Sequence, residues 1–229
     1  SINAPKGYAE VASKALAEVS GIPVVLSTNL IEATWDTGAY VQTSGVLKRI
    51  AVKLSKICND LRLLSSGPRT GINEINLPRL QPGSSIMPGK VNPVIPEVVS
   101  QVAFDIIGKD VTITMAAEAG QLELNVMEPI IAFSLSNGIH RLRQAMRTLQ
   151  DRCVSGITAN KERCRSMVEN SIGIITALNP YLGYETSASI AKEALETGGS
   201  VIDIVLARNL LSREKLDDIL APEHMINRK

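Results

Sequence analysis

The chain has 229 residues, 45% of them hydrophobic, and a net charge of +1. That is enough to bury a core in one or two domains, and the near-neutral balance leaves no field to recruit nucleic acid or an anionic membrane surface. An aromatic content of 3% excludes stacking platforms for bases, and apolar mass drawn from Ala, Val, Ile and Leu points to helix packed on helix. The first predicted helix spans Pro5 to Val19 and ends at a Gly21-Ile22-Pro23 turn. A long helix is predicted from about Thr37, with Leu47, Ile50, Ala51, Leu54, Ile57, Cys58, Leu61 and Leu64 recurring at three- and four-residue steps. Lys48, Arg49, Lys53, Lys56 and Arg62 take its other faces, as in a bundle helix with one wet side.

Ser65 to Pro93 breaks this pattern with five prolines and four glycines. Irregular loops longer than about 12–15 residues are uncommon inside compact domains and are usually functional or disordered. Ile72, Ile75, Leu77, Ile86 and Met87 give this one apolar anchors that a disordered linker lacks. A second long helix is predicted from Val94 to about Ala119, with Pro93 and Pro96 suited to its first turn. Its apolar residues cover more than one face, which implies burial on several sides by other subunits. Gly108 and the run Val111-Thr112-Ile113-Thr114 weaken it locally. A third long helix is predicted from Leu122 to Leu149 with a kink at Pro129. Gly156 marks a boundary, dividing residues 1–155 from a small all-α domain over residues 156–229. Shorter helices follow at Lys161–Asn170, Ser187–Glu196, Val201–Arg208 and Arg213–Leu220, the last with Ser212 as N-cap.

The three cysteines, Cys58, Cys153 and Cys164, lack metal-type spacing and read as reduced thiols of a cytoplasmic protein. No signal peptide is legible, and no apolar run approaches the roughly 20 residues that span a bilayer. The chain begins at Ser1 without a Met, which reads as a processed or truncated product.

The loop holds the chemistry. Gly83 and Gly89 flank Ser84 and Ser85, and Lys90 and Asn92 follow before a helix N-terminus. Free N–H groups and the helix dipole favour anions there. One reading is therefore an anion site with a hydroxyl beside it; the other is a Gly/Pro connector with solvated serines. A phosphate-binding P-loop is excluded. Five residues rather than four separate Gly83 from Gly89, Val91 follows Lys90, and Pro88 removes a donor. The nucleophile elbow of serine hydrolases fails on spacing too, with only His140 and His224 available as base.

The run Gly83-Ser-Ser-Ile-Met-Pro-Gly-Lys-Val-Asn-Pro93 resembles the signature of the fumarase/aspartase superfamily. Asn59 to Arg69 and Ala116 to Pro129 look like the family stretches on either side, and the resemblance runs from about Asn3 to the tail. Asn29 to Thr34, Asn73 to Pro78 and Gly156 to Asn160 look more like the aspartases than the fumarases within it. The resemblance covers only the C-terminal half of such enzymes. It implies an all-α fold, a long-helix bundle with catalytic loop 67–93 and a small helical C-terminal domain, with the N-terminal domain absent.

The same resemblance implies a reaction. Ammonia is eliminated anti across the Cα–Cβ bond of aspartate to give fumarate, with Ser84 as the general base that takes the Cβ proton. Ser85, Met87, Lys90 and Asn92 would contact the dicarboxylate. Glu97 has two readings, an acid favourable at a helix N-terminus or an orienting partner for Lys90. Glu118, Gln121 and Asn125 read as hydrogen-bonding between packed helices rather than as chemistry. No cofactor and no metal site are implied. The expected partners are the small dicarboxylate and further copies of the chain in a homotetramer, with neither nucleic acid nor membrane. Each site in the family draws residues from three subunits, and because several of the family's substrate contacts belong to the missing N-terminal portion, the 229-residue chain is expected to be inactive alone. Fumarate hydration and a non-catalytic oligomerisation core or crystallin-like role are the rivals.

Overall fold

The computed structural model describes residues 3–81 and 91–226. It is all-α, with eleven α-helices and one two-stranded ladder among the described residues. The chain divides into two compact units, one made of Ser1–Arg62 with Pro78–Gly156, the other of Leu63–Leu77 with Ile157–Lys229.

The first unit opens with α1 (Tyr8–Ser20), closed by Gly21 in the left-handed region at φ 67°, its N–H on Ala17 O at 3.0 Å. No residue of α1 is buried. A four-residue helix that the sequence did not predict, α2 (Glu32–Trp35), comes next; the Asn29 side chain accepts from the N–H groups of Ile31 and Glu32 at 3.1 and 3.2 Å. The long helix α3 (Gly38–Leu64) starts within a residue of its predicted position.

Helices α4 (Val94–Glu118) and α5 (Glu128–Arg152) complete the bundle. Ile106 lies 3.3 Å from where a Gly138 Cβ would sit, and Asp105 on α4 pairs with Arg141 on α5 at 3.2 Å, so the two helices run antiparallel. Ser44 on α3 meets Asp110 on α4, while Ala51 packs with Ala103 and Ile106, so α3 and α4 are antiparallel as well. Ala51, Ala103, Ile106 and Leu142 form one apolar layer, and Ile113, Ala116, Ile131 and Leu135 form the next. Gly108 and the β-branched run after it do not interrupt α4, because Ile113 is buried in that second layer; tertiary burial outweighs a propensity deficit of a few tenths of a kcal/mol per residue (about 1 for Gly).

The predicted helix beginning at Leu122 with a kink at Pro129 is wrong on both points. Gln121 and Leu124 exchange backbone hydrogen bonds across a tight turn at 2.9 and 3.1 Å, with Leu122 at φ 49°. Pro129 sits in the first turn of α5, where its missing N–H has no helical partner to lose. The switch is made by Asn125, which is 3% exposed. Its amide donates to the carbonyls of Ala116 and Ala117 at 3.0 and 3.3 Å, and its oxygen accepts from Met127 N at 2.8 Å. One side chain thus closes α4 and opens α5.

Among the described residues of this unit, Asp110 is the buried charged side chain. Its carboxylate accepts from Ser44 Oγ at 2.8 Å and from Lys48 Nζ at 2.5 Å. Burial pushes its pKa up, but the Lys48 and Ser44 hydrogen bonds and the Lys48 charge outweigh that and hold it below the ordinary 3.8. A carboxylate depressed on folding contributes stability above its unfolded pKa and loses it as pH falls through the folded value. Urea midpoints are therefore expected to fall as pH drops below about 4, and D110N should flatten part of that fall. An identical acid dependence in D110N would remove Asp110 from this role. Two buried thiols lie in the same unit: burial, and then the neighbouring Cys153, raise Cys58 to about 11, and burial raises Cys153.

The second unit begins at Leu63, at the end of α3, and within the predicted loop its β1 (Ile75–Asn76) pairs antiparallel with β2 (Thr158–Ala159), Ile75 opposite Ala159. Helices α6 (Lys161–Glu169), α7 (Ile175–Leu182), α8 (Tyr184–Thr197), α9 (Val201–Ala207), α10 (Arg213–Ile219) and α11 (Pro222–Ile226) follow. Leu178, Ile190, Ala194, Val201, Val205 and Leu216 lie at the centre of its core. Helix α7 falls in a stretch for which the sequence offers no element above, and it carries Pro180 inside it. Ser212 caps α10 as expected, its Oγ accepting from Lys215 N at 3.2 Å.

Candidate functional site

Two of the six predicted site residues fall among the described residues. Ser84, Ser85, Met87 and Lys90 lie outside them; Asn92 and Glu97 lie inside. Asn92 is half-buried, and its carbonyl accepts from Val94 N at 2.9 Å. Pro93 is the N-cap of α4 at φ −79° and ψ 58°, with no side chain capping the helix. Its carbonyl takes the Glu97 N–H at 3.2 Å. The first turn of a 25-residue helix thus stands directly after Asn92, and the positive end of its dipole favours an anion there. Glu97, half-buried in that turn, is compatible with both of its readings.

The chain that leads toward Ser84 is held by polar contacts that the sequence reading had not assigned. Asn160 Nδ2 lies 2.9 Å from Asn73 O and 3.2 Å from both Asn73 Oδ1 and Asn76 Oδ1, while Asn76 Nδ2 donates to Asn160 Oδ1 at 2.6 Å. Arg163 donates to Ile72 O at 3.1 Å, and Cys164 Sγ to Glu74 O at 3.5 Å. In the sequence these asparagines figure only in the two stretches that resemble aspartases; spacing alone gives no sign that they meet. Within the first unit, Pro78 Cγ lies 2.6 Å from where a Gly156 Cβ would stand, so only glycine leaves room there. Among the described residues no group of three or more His, Cys, Asp or Glu could hold a metal ion, and no helix is long and apolar enough to cross a membrane.

Comparison with known proteins adds a family. The profile described as Lyase matches residues 1–108, and that described as Fumarase C C-terminus matches residues 174–227. The aspartate ammonia-lyase of Pseudomonas canavaninivorans is 64% identical over 225 residues, 98% of this chain and 48% of that protein. The aspartate ammonia-lyase of Helicobacter pylori is 62% identical over 226 residues, 99% of this chain and 48% of that protein. The chain belongs to the fumarase/aspartase superfamily. As a superfamily chain it spans about half the length of the curated relatives it matches. Solved structures agree on the superfamily fold. The fumarate lyase:delta crystallin from Brucella melitensis bound to cobalt has a TM-score of 0.92 at 54% identity, covering 99% of this chain and 49% of that one. The class II fumarase from Schistosoma mansoni has a TM-score of 0.86 at 34% identity, covering 97% of this chain and 50% of that one.

Proposed function

We propose that this chain supplies the C-terminal half of an aspartate ammonia-lyase. The observation that carries the reading is the identity gap: 62–64% to proteins named for that activity against 34% to a fumarase of the same fold. Ser84 is the general base. A neutral hydroxyl is a feeble base, so it acts as an alkoxide stabilised by donors around it and takes the Cβ proton of aspartate. The electron pair left on Cβ delocalises into the adjacent carboxylate. The Cα–N bond then breaks, nitrogen leaves as ammonia with its bonding pair, and the Cα–Cβ double bond of fumarate forms.

Lys90 and the Asn92 amide meet the charge that builds on the carboxylate, where stronger binding of the transition state than of the ground state raises kcat. The N-terminus of α4, next to Asn92, reinforces them. Ser85 and Met87 complete the substrate contacts, and Glu97 supports the lysine. The substrate is a small dicarboxylate, and the protein works in the cytoplasm as a homotetramer. Exposed apolar residues support the assembly: Val98, Phe104, Val111 and Met115 on α4 and Phe133 on α5 remain uncovered in the single chain. Light scattering on the full-length protein checks this, and a monomer would overturn it.

The deciding assay feeds aspartate and malate separately to the full-length protein. Ammonia and fumarate from aspartate support the reading; fumarate from malate alone makes it a fumarase, and activity on neither favours a non-catalytic role.

A further inference from the structure

The apolar interior of the first unit continues into a third layer. One heptad along α3 from Ala51 stands Cys58, one heptad back along α4 from Ile106 stands Val99, and one heptad along α5 from Leu142 stands Leu149. All three are buried. Cys153 closes the same end of the bundle. It is the C-cap of α5, its N–H on Leu149 O at 3.2 Å, and it is as inaccessible as Cys58. Both cysteines are free thiols, and Cys153 stands near enough to oppose the ionisation of Cys58. Cys164 differs on each point: it belongs to the other unit, is half-buried, and turns its Sγ onto Glu74 O at 3.5 Å.

No step of the elimination uses these thiols. Burial keeps both of them protonated, which protects them from bulky and charged reagents. A pair is nonetheless different from two separate buried thiols. Once one sulfur is oxidised, the other is the nearest nucleophile, and water is excluded from competing for it. A peroxide little larger than water enters when the helix ends open locally.

We propose that Cys58 and Cys153 are a latent redox pair that closes into a disulfide on exposure to hydrogen peroxide or another small neutral hydroperoxide. The thiolate of one cysteine attacks a peroxide oxygen, the O–O bond breaks, and a sulfenic acid and water result. The second sulfur then attacks the sulfenic sulfur. The S–S bond forms, the S–O bond breaks, and hydroxide leaves with the second thiol proton as water. The two thiols thus lose two electrons and two protons, and hydrogen peroxide becomes two waters. In a reducing compartment the resting pair is the dithiol. The bond would tie the end of α3 to the end of α5 across a loop that contains both α4 and α5, and a cross-link over so long a loop stabilises the fold. The pair stands apart from the proposed lyase activity, and its chemistry is the same whether the protein acts on aspartate, on malate or on neither.

The test treats the full-length protein, C58A and C153A with hydrogen peroxide, alkylates the remaining thiols under denaturation, and maps the peptides by mass spectrometry. Wild type is expected to yield a Cys58–Cys153 peptide pair that dithiothreitol separates, and to melt several degrees higher oxidised than reduced. In C58A and C153A the partner left behind is expected to stop at the sulfenic acid or go on to sulfinic acid. Alanine leaves a cavity at either position, so if a variant does not fold, the wild-type peptide map decides. Recovery of both cysteines as alkylated thiols would overturn the proposal, and so would a disulfide from either of them to Cys164 or to a cysteine of another copy.

Discussion

Turnover of aspartate by the full-length protein is expected to fall about 10²- to 10⁴-fold when Ser84 is replaced by alanine, the range over which a positioned general base contributes. The serine oxygen would be the only group asked to carry the Cβ proton, and its removal would leave no positioned base. KM should change little, since Lys90 and Asn92 would still bind the carboxylates, and loss of kcat with unchanged KM is what removal of a transition-state interaction looks like. Assembly should be untouched, which light scattering on the variant checks. Undiminished release of ammonia would remove Ser84 from its role. The 229-residue chain assayed by itself is expected to release none.

The largest effect on stability is expected at Gly71. A Cβ placed there would stand well inside 3.0 Å of the Ser66 carbonyl group and the Gly67 nitrogen. All three neighbours are backbone atoms, so no side-chain rotation relieves the clash. Ser66 is itself tied down, its Oγ donating to Leu63 O and accepting from Ile72 N at 3.1 Å. Gly71→Ala is therefore expected to cost about 3 kcal/mol, the upper end for overpacking, read as a lower urea midpoint. Gly108→Ala is the matched comparison: nothing lies within 4 Å of its Cβ position, in the middle of α4, so alanine should add up to about 1 kcal/mol. Equal midpoints for the two variants would show that the Gly71 turn yields without cost.

The helices were legible where one face repeats over several turns. Helix α3 was found to within a residue from its Leu47-to-Leu64 stripe, and α4 likewise, because burial makes that stripe necessary. The reading failed where one polar side chain decides the local path. Leu122, Leu124 and Val126 carry no mark that Asn125 will fold back on Ala116, so the start of α5 was placed six residues early. Helix α7, eight residues with Pro180 inside and Leu178 as its buried side chain, is too short to show such a stripe. Of the candidate site, Ser84, Lys90 and Asn92 are legible as a local run bearing a long signature, with Ser84 and Lys90 outside the described residues. The meeting of Asn160 with Asn76 is not legible, because it spans 84 positions of sequence, and a one-dimensional pattern holds no signal for it.

The ladder between β1 and β2 has a consequence for how the molecule is made. Ile75 and Asn76 leave the ribosome long before Ala159 and Thr158, and the whole of α4 and α5 is synthesised between them. The second unit therefore cannot close during translation until the bundle that interrupts it has emerged, and contacts this distant in sequence form slowly. A gene encoding only residues from Ile157 onward would produce a body without its first strand. To express that body intact, Leu63–Leu77 must be spliced ahead of Ile157.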